Sequence, residues 1–372
     1  MDRIQNRIII SVIAAFVAFS SFPKAFADQT NGETSSTARA LGMGNAAINT
    51  ERGGYSVFYN PANIAAKDTR VNVQLLNVQN EFSDGALAQL SSRNSANFLS
   101  LSSLSEGLIQ NPNRYVAGRF SVYPNFTVRN FSLGMLYEVN QGAIYEPGTN
   151  SLRIRVRNRF APTAALSFRL FGGIFRFGFS TQLLGVGEAD RTISMPQTAS
   201  ARGDLSFKKY AYGGTGFVHT VGTTVTIPVR FLPSFSGVIR NLGVARFAGP
   251  SLVPFGEAGT PMEQAMRADA AFGLTMYMGR RIEFKPEFDF RDVTNRTKTG
   301  LLQRMSFGGE LIFFDSLKFR AGVAHGYLSV GAGVQMSKGS VDFAAYGDEL
   351  DNRLRSNKEQ RYVLQYTWSF FR

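Results

Sequence analysis

The chain has 372 residues, a mean hydropathy of -0.09 and a formal charge of +13 at pH 7, from 40 Lys and Arg against 27 Asp and Glu. It contains no cysteine, which excludes disulfides, Cys-based zinc sites, CxxC redox motifs and thiol nucleophiles. The positive charge is spread along alternating segments rather than gathered in one motif, which argues against nucleic acid as a partner and suits lipopolysaccharide phosphates, anionic solutes or solvated loops.

At the start of the chain, Arg3 and Arg7 precede an apolar run, Ile8–Phe19, and Ala25-Phe26-Ala27 places small residues at a cleavage position. This is the form of a secretory signal peptide cut after Ala27. The run is 12 residues, short of the ~20 that a spanning helix needs. Residues 28–68 show no strand period. Residues 69–80 alternate and predict a strand. Residues 83–113 do not; they are rich in Ser, Leu and Asn, carry Leu87, Leu90, Phe98, Leu101, Leu104 and Leu108, and read as a long external loop with short helical turns.

Strands then follow closely. Tyr115–Tyr123 meets a turn signal at Pro124-Asn125. Phe131, Leu133, Met135, Tyr137 and Val139 alternate with Ser132, Gly134, Leu136 and Glu138, up to a turn at residues 146–150. Leu152, Ile154 and Val156 oppose Arg153, Arg155, Arg157 and Arg159. Ala164–Leu170 continues after Pro162, and Gly172-Gly173 turns into a strand in which Phe175, Phe177 and Phe179 alternate with Arg176, Gly178 and Ser180. Residues 188–204 read as a polar loop. Strands are predicted at 205–218, 221–230 and 235–247. A long connection follows at 249–267, carrying Leu252, Val253, Phe255 and Met262 and a short helix near 261–267. Further strands are predicted at 268–279, 281–293, 301–314, 316–325, 327–337, 339–347 and 360–371. In the last, Tyr362, Leu364, Tyr366, Trp368 and Phe370 share one face. Up to sixteen segments result, with two or three adjacent ones being pieces of one strand.

Export followed by many alternating strands points to an outer-membrane β-barrel, in which each strand shows one face to lipid and the other to the lumen. Closure pairs every backbone polar group, which hydrocarbon requires. The arginine row 153–159 cannot face lipid cheaply, at about 2–4 kcal/mol per Arg at the midplane. It therefore looks into the lumen or stands beyond the membrane; a solvent-facing sheet of a periplasmic sandwich is the plainer reading. The aromatic C-terminal strand resembles the signal that such barrels present to the barrel-assembly machinery, although Arg372 follows Phe371 where that signal usually ends in an aromatic residue.

The stretch Thr37–Ala47, with Arg39, Gly42, Met43, Gly44 and Ala46, leads into Tyr55–Ala65, with Asn60, Pro61, Ala62 and Ile64. This resembles the N-terminal signature of FadL-like outer-membrane proteins. Gly237–Gly243 and Phe319–Tyr327 resemble later elements of the same group. The resemblance implies an all-β, transmembrane antiparallel barrel of about 14 strands with an N-terminal hatch in its lumen, formed by residues 28–68 and including Arg39, Gly42, Met43, Gly44, Asn60, Pro61 and Ala62. It implies passive transport of hydrophobic or amphipathic solutes such as long-chain fatty acids. A second branch of the group implies instead a secretion-accessory or structural barrel that binds protein partners. As ligand contacts the reading offers Leu87, Leu90, Phe98, Leu101 and Leu104 in an external apolar groove, against plain packing of the loop on itself. It also offers Arg153, Arg155 and Arg157 as cations for a carboxylate, against a solvated lumen wall. No cofactor or metal is expected. Only His219 and His325 exist, and neither stands in a nucleophile pattern, so no enzyme is expected. N-terminal sequencing of the exported protein is expected to begin at Asp28; a chain that retains Met1 would refute the leader.

Overall fold

The computed structural model describes residues 35–66, 71–91, 108, 115–194, 211–249, 252–253, 259–296, 299–349 and 358–370. Strands dominate: β1 Val71–Ser83, β2 Val116–Val122, β3 Asn125–Val128, β4 Phe131–Glu146, β5 Ser151–Leu170, β6 Phe175–Ser194, β7 Tyr212–Thr226, β8 Ser234–Arg240, β9 Arg267–Gly273, β10 Met276–Tyr277, β11 Ile282–Phe290, β12 Met305–Phe313, β13 Leu317–Ala324, β14 Tyr327–Met336, β15 Gly339–Glu349 and β16 Lys358–Ser369. Neighbours pair antiparallel around a complete circuit, and β16 pairs with β1 to close it. Because β2 and β3 both lie between β1 and β4, they form one stave. β9 and β10 likewise share one stave beside β11. The result is a closed 14-strand barrel.

Alternation produces the two faces. On β12 to β14 the exposed residues are Phe307, Phe319, Val323, Leu328, Val330 and Val334, while Ser306, Glu310, Arg320 and Ser329 between them are buried. A closed wall that is apolar outside and polar inside suits hydrocarbon around it and not water. At the short-turn end the apolar belt gives way to exposed Phe231, Tyr277 and Phe314. Arg230 lies over Phe231 and Arg281 over Phe314, each 5.4 Å from the ring centre, which is the aromatic and basic composition of a membrane interface.

Several expected breaks are not breaks. Pro124 does not turn the chain: Tyr123 N donates to Asn77 O at 2.9 Å and Pro124 O accepts from Met135 N at 3.0 Å, so the missing N–H only interrupts the ladder. β5 passes through Pro162 in unbroken register with β4. The segments predicted at 205–218 and 221–230 are not two strands; β7 crosses Gly222 without a turn. The loop predicted from residue 188 starts later, because β6 continues to Ser194 with its polar residues paired across the hairpin to β5. The strand predicted at 235–247 stops at Arg240, where Asn241 and Gly243 take positive φ. No helix forms at 261–267: Ala245 and Gln264 exchange both main-chain hydrogen bonds, each 3.0 Å, and hold this part extended.

Residues 35–66 pair with no strand and lie across the enclosed interior, with almost every side chain buried. They form a short helix Ala38–Gly42 capped by Thr37 (Ala40 N donates to Thr37 Oγ1, 3.1 Å), a second Ser56–Tyr59 and a 3-10 turn Pro61–Ala66. Asn60 is extended before Pro61, as the proline ring demands. This segment meets the wall at glycines. A Cβ added to Gly308 or Gly322, which pair across β12 and β13, would collide with the main chain at Met43. One added to Gly178 or Gly222, which pair across β6 and β7, would collide with Asn60, Pro61 or Ala62. Gly44 has φ +63° and is packed on the backbone of Val323, so both its conformation and its space require glycine. Gly322→Val is expected to lower stability in detergent by about 1–3 kcal/mol through overpacking, whereas Gly237→Ala, with open space around its Cβ, is expected to unfold like wild type; thermal unfolding of both variants checks this.

Candidate functional site

The interior is organised by wall side chains that pair with the main chain of residues 35–66. Asp289 Oδ2 accepts from Ala47 N and Ile48 N at 2.9 and 3.2 Å, and Glu287 accepts from Asn49 N and Thr50 N at 2.5 and 3.1 Å. Two carboxylates two residues apart on β11 thus serve four successive amides. Two staves away on β8, Arg240 donates to Phe58 O and, at 3.0 Å, to Tyr59 O, while its Nε pairs with Asp269 at 2.5 Å. Ser167 Oγ donates to Ala62 O at 3.0 Å, Ser180 Oγ donates to Val57 O at 3.1 Å, and Gln365 Oε1 accepts from Ala38 N at 2.9 Å.

The residues singled out from the N-terminal signature all fall at this contact. Arg39 donates twice to Glu310, with Nη2–Oε2 at 2.7 Å, and pairs with Glu51 at 3.2 Å. Burial works to lower the pKa of its guanidinium, but Glu310 and Glu51 carry it above the ordinary arginine value. Gly42 faces Gly331 of β14, Met43 is fully buried, and Gly44 sits on β13. Asn60 Nδ2 donates to Thr224 Oγ1 at 2.9 Å, and its Oδ1 accepts from Ala62 N at 3.1 Å, which folds the turn around Pro61.

Above this floor lies an apolar patch that the sequence reading did not assemble. Tyr123 at the β2–β3 break stands 4.9 Å from Tyr55 and 5.0 Å from Phe58, ring to ring. Its hydroxyl is shared with Thr163 Oγ1 at 3.0 Å. Leu136, Ala161, Leu184, Val186 and Val218 continue the patch across β4 to β7, and Ala245 and Phe247 from the β8–β9 connection close it. Leu136 pairs with Ala161, and Leu184 with Gly216, so the patch crosses the wall along the register. Phe247 and the Arg246 carbonyl lie directly over Gly216, where no Cβ would fit. Every member is buried, the most exposed being Phe247 at 6%.

The predicted ligand contacts are distributed otherwise. Leu87 and Leu90 lie on a helix Asp84–Ser91, and Leu87 is half-exposed. Phe98, Leu101 and Leu104 lie outside the described residues. Leu108, from the same loop, is buried with Val116, Ile154, Val156 and Ala189. These stand on the outward face of β2, β5 and β6, beyond the exposed belt, so Leu108 covers the outside of the wall. In the second connection Val253 is buried, while Leu252 and Met262 are exposed. Arg153, Arg155 and Arg157 face inward and already have carboxylates: Arg153 and Arg155 share Asp190 at 2.9 and 2.6 Å, and Arg157 meets Glu188 at 3.0 Å. Arg159 pairs with buried Glu138 at 3.2 Å. The row is an ion-pair ladder from β5 to β6 and, at Arg159, to β4, so its charges are spent within the wall.

No family model matches the chain, and no curated protein matches it in sequence. Solved structures do match. CymD, described as a monoaromatic hydrocarbon channel, is 12% identical and superposes with a TM-score of 0.52 over 92% of this chain and 100% of its own. The toluene transporter TbuX of Ralstonia pickettii is 11% identical with a TM-score of 0.54, over 92% and 100%. The toluene transporter TodX of Pseudomonas putida is 12% identical with a TM-score of 0.50, over 93% and 99%. The chain has the FadL-like barrel fold. In this FadL-like barrel Arg240 ties one wall of the interior to the enclosed segment, with Asp269 buried behind it. Arg240→Ala is expected to cost about 3–5 kcal/mol, because it removes the ion-pair partner of buried Asp269 and the donor to two carbonyls. Arg240→Ala with Asp269→Ala is expected to recover part of the loss in denaturant unfolding.

Proposed function

We propose that the chain is an outer-membrane channel for small hydrophobic solutes, with residues 35–66 acting as the hatch beneath the path. One observation carries this reading: the patch of Tyr55, Phe58, Tyr123, Leu136, Leu184, Val218 and Phe247, larger than the other apolar clusters of an interior lined mostly by polar residues. A water-filled pore keeps its inner wall polar. Burying an aromatic and aliphatic patch there serves a solute that leaves water on entering it, at about 25 cal/mol per Å² of apolar surface. Rings offer offset and edge contacts to another ring, so flat aromatic molecules suit the patch as well as alkyl chains do. The fold shared with proteins described as hydrocarbon channels supports an apolar cargo, and nothing in the patch favours a long acyl chain in particular. The apolar outer belt with its aromatic and basic edge supports the bacterial outer membrane as the location, and the leader-like residues 1–27 fit export to it. Lipopolysaccharide then meets the tall hairpins, and the barrel-assembly machinery meets β16.

The patch is packed, not open, so passage requires the Phe247 connection to swing away from Gly216 and the Tyr55–Phe58 floor to yield. This same closure favours, as a second reading, a non-transporting barrel that presents its tall β4–β6 rim to a protein partner such as a secretion system.

Uptake of labelled toluene by intact cells separates the two. Cells making the protein are expected to take up toluene faster than cells without it, with glycerol uptake unchanged. Phe247→Glu, which changes no residue of wall or hatch but sets a charge against the patch, is expected to return toluene uptake to the background. Equal toluene uptake with and without folded protein in the membrane would leave the accessory reading in its place.

A further inference from the structure

The enclosed segment has two sides. Residues 55–59 face the apolar patch, whereas residues 50–53 border a cavity of about 300 Å³ at the short-turn end of the barrel. Its lining is polar, and four cations reach it: Arg39, Arg52, Lys285 and Lys318. Two of these are matched. Arg39 is held by Glu51 and Glu310, the two carboxylates of the lining, and Lys285 meets Glu283 at 2.8 Å. Glu310 also pairs with Arg320 at 2.8 Å, so the lining has no carboxylate to spare. Arg52 donates only to the Ala66 carbonyl, at 3.3 Å, and Lys318 donates to Gln335 Oε1 at 3.1 Å. Among the described residues neither has an ion-pair partner. Two polar atoms of the lining also lack a hydrogen bond, Thr50 Oγ1 and Asn72 Oδ1, both on residues more than nine-tenths buried.

We propose that this cavity binds a small oxyanion, a carboxylate or phosphate group, between Arg52 of the enclosed segment and Lys318 of the wall. Two cations on separate elements, neither in an ion pair among the described residues, suit the two or more oxygens of such a group, and charge-assisted hydrogen bonds to it are the strong kind. The Thr50 hydroxyl can turn its proton toward the anion, and the Asn72 amide can present its nitrogen in place of its oxygen. Enclosure by the barrel and repulsion from Arg39 push the Arg52 guanidinium below its ordinary pKa, the condition that an added anion relieves. Bound there, the anion joins the enclosed segment to β13. The site stands whether or not the barrel carries hydrophobic solutes.

The test is calorimetric titration of the folded protein, in a non-ionic detergent and Tris chloride, with sodium phosphate, acetate and hexanoate. Saturable binding of one anion per chain is expected, weakened at least tenfold in Arg52→Gln and in Lys318→Gln. Lys338→Gln, at the same end but outside the lining, is expected to bind as wild type does. Hexanoate bound more tightly than acetate assigns the site to the head group of an amphipathic molecule, and equal affinity or phosphate alone assigns it to a free anion. All variants are checked for the heat-modifiable gel mobility of a closed barrel. No saturable binding of any of the three anions overturns the proposal, as does unchanged affinity in folded Arg52→Gln and Lys318→Gln.

Discussion

An irregular segment enclosed by a sheet brings into the interior amides and carbonyls that no regular element pairs, and an unpaired buried polar group costs about 1–3 kcal/mol. The rest of the interior follows from that constraint. Glu287 and Asp289 take four amides, Arg240 two carbonyls, and Ser167, Ser180 and Gln365 one or two more main-chain groups each. Two charges that hold the segment have a further partner in the wall, Asp269 behind Arg240 and Arg320 behind Glu310, which binds Arg39. The charged inner face is therefore divided between the segment it encloses and ion pairs within the wall, such as Arg361 with Glu81 and Arg159 with Glu138. Glycines at the points of contact let the two backbones approach closely enough for these bonds to form.

Against that background the largest apolar patch of the interior stands out. It lies where the wall is tallest: β5 and β6 each run 20 residues, while β8 and β9 run 7. Where the short strands stop, the β8–β9 connection leans on the free edge of β7, with Ala248 N donating to Thr215 O at 3.0 Å, and turns Phe247 inward. The unequal wall thus leaves room for a connection that caps the interior, and the patch beneath it is enclosed on all sides.

Much of the barrel was legible in the sequence because alternation is a direct record of its two faces, and the aromatic row Tyr362 to Phe370 shows it well. Proline misled where a turn was inferred from a missing N–H, since Pro124 interrupts pairing without ending a stave. Polarity misled at residues 188–194, because Glu188 and Asp190 answer arginines on the neighbouring strand and need no loop to be hydrated. The positions of Gly42, Gly44 and Asn60 were marked by residue type. Their partners Gly178, Gly222, Gly308 and Gly322 were not, because a wall glycine looks like any strand glycine until the opposing chain is seen. The patch had one local sign: Leu136 is an apolar residue in the inward row with Ser132 and Glu138. Phe247 had none, since nothing nearby in sequence says that its connection folds into the barrel.

The pairing of β16 with β1 gives the molecule a further property. Asn77 and Gln365 are bonded at 2.9 Å across 288 positions of sequence, and Gln365 also accepts from Ala38 at the start of the enclosed segment. Bringing such distant residues together costs about 5 kcal/mol of chain entropy by the logarithmic loop law, recovered only when the last strand arrives. Glu81 of β1, bound by Arg361 of β16 and by Tyr346, sits on the same seam. The seam is thus where the largest loop-closure cost of the ring falls, and it seals the barrel around a segment that belongs to the other end of the chain. Threading that segment into a finished ring would mean passing its charged and turned backbone through the opening; capture during closure avoids this. Biogenesis and the inner architecture are in that sense one process, timed by the final strand.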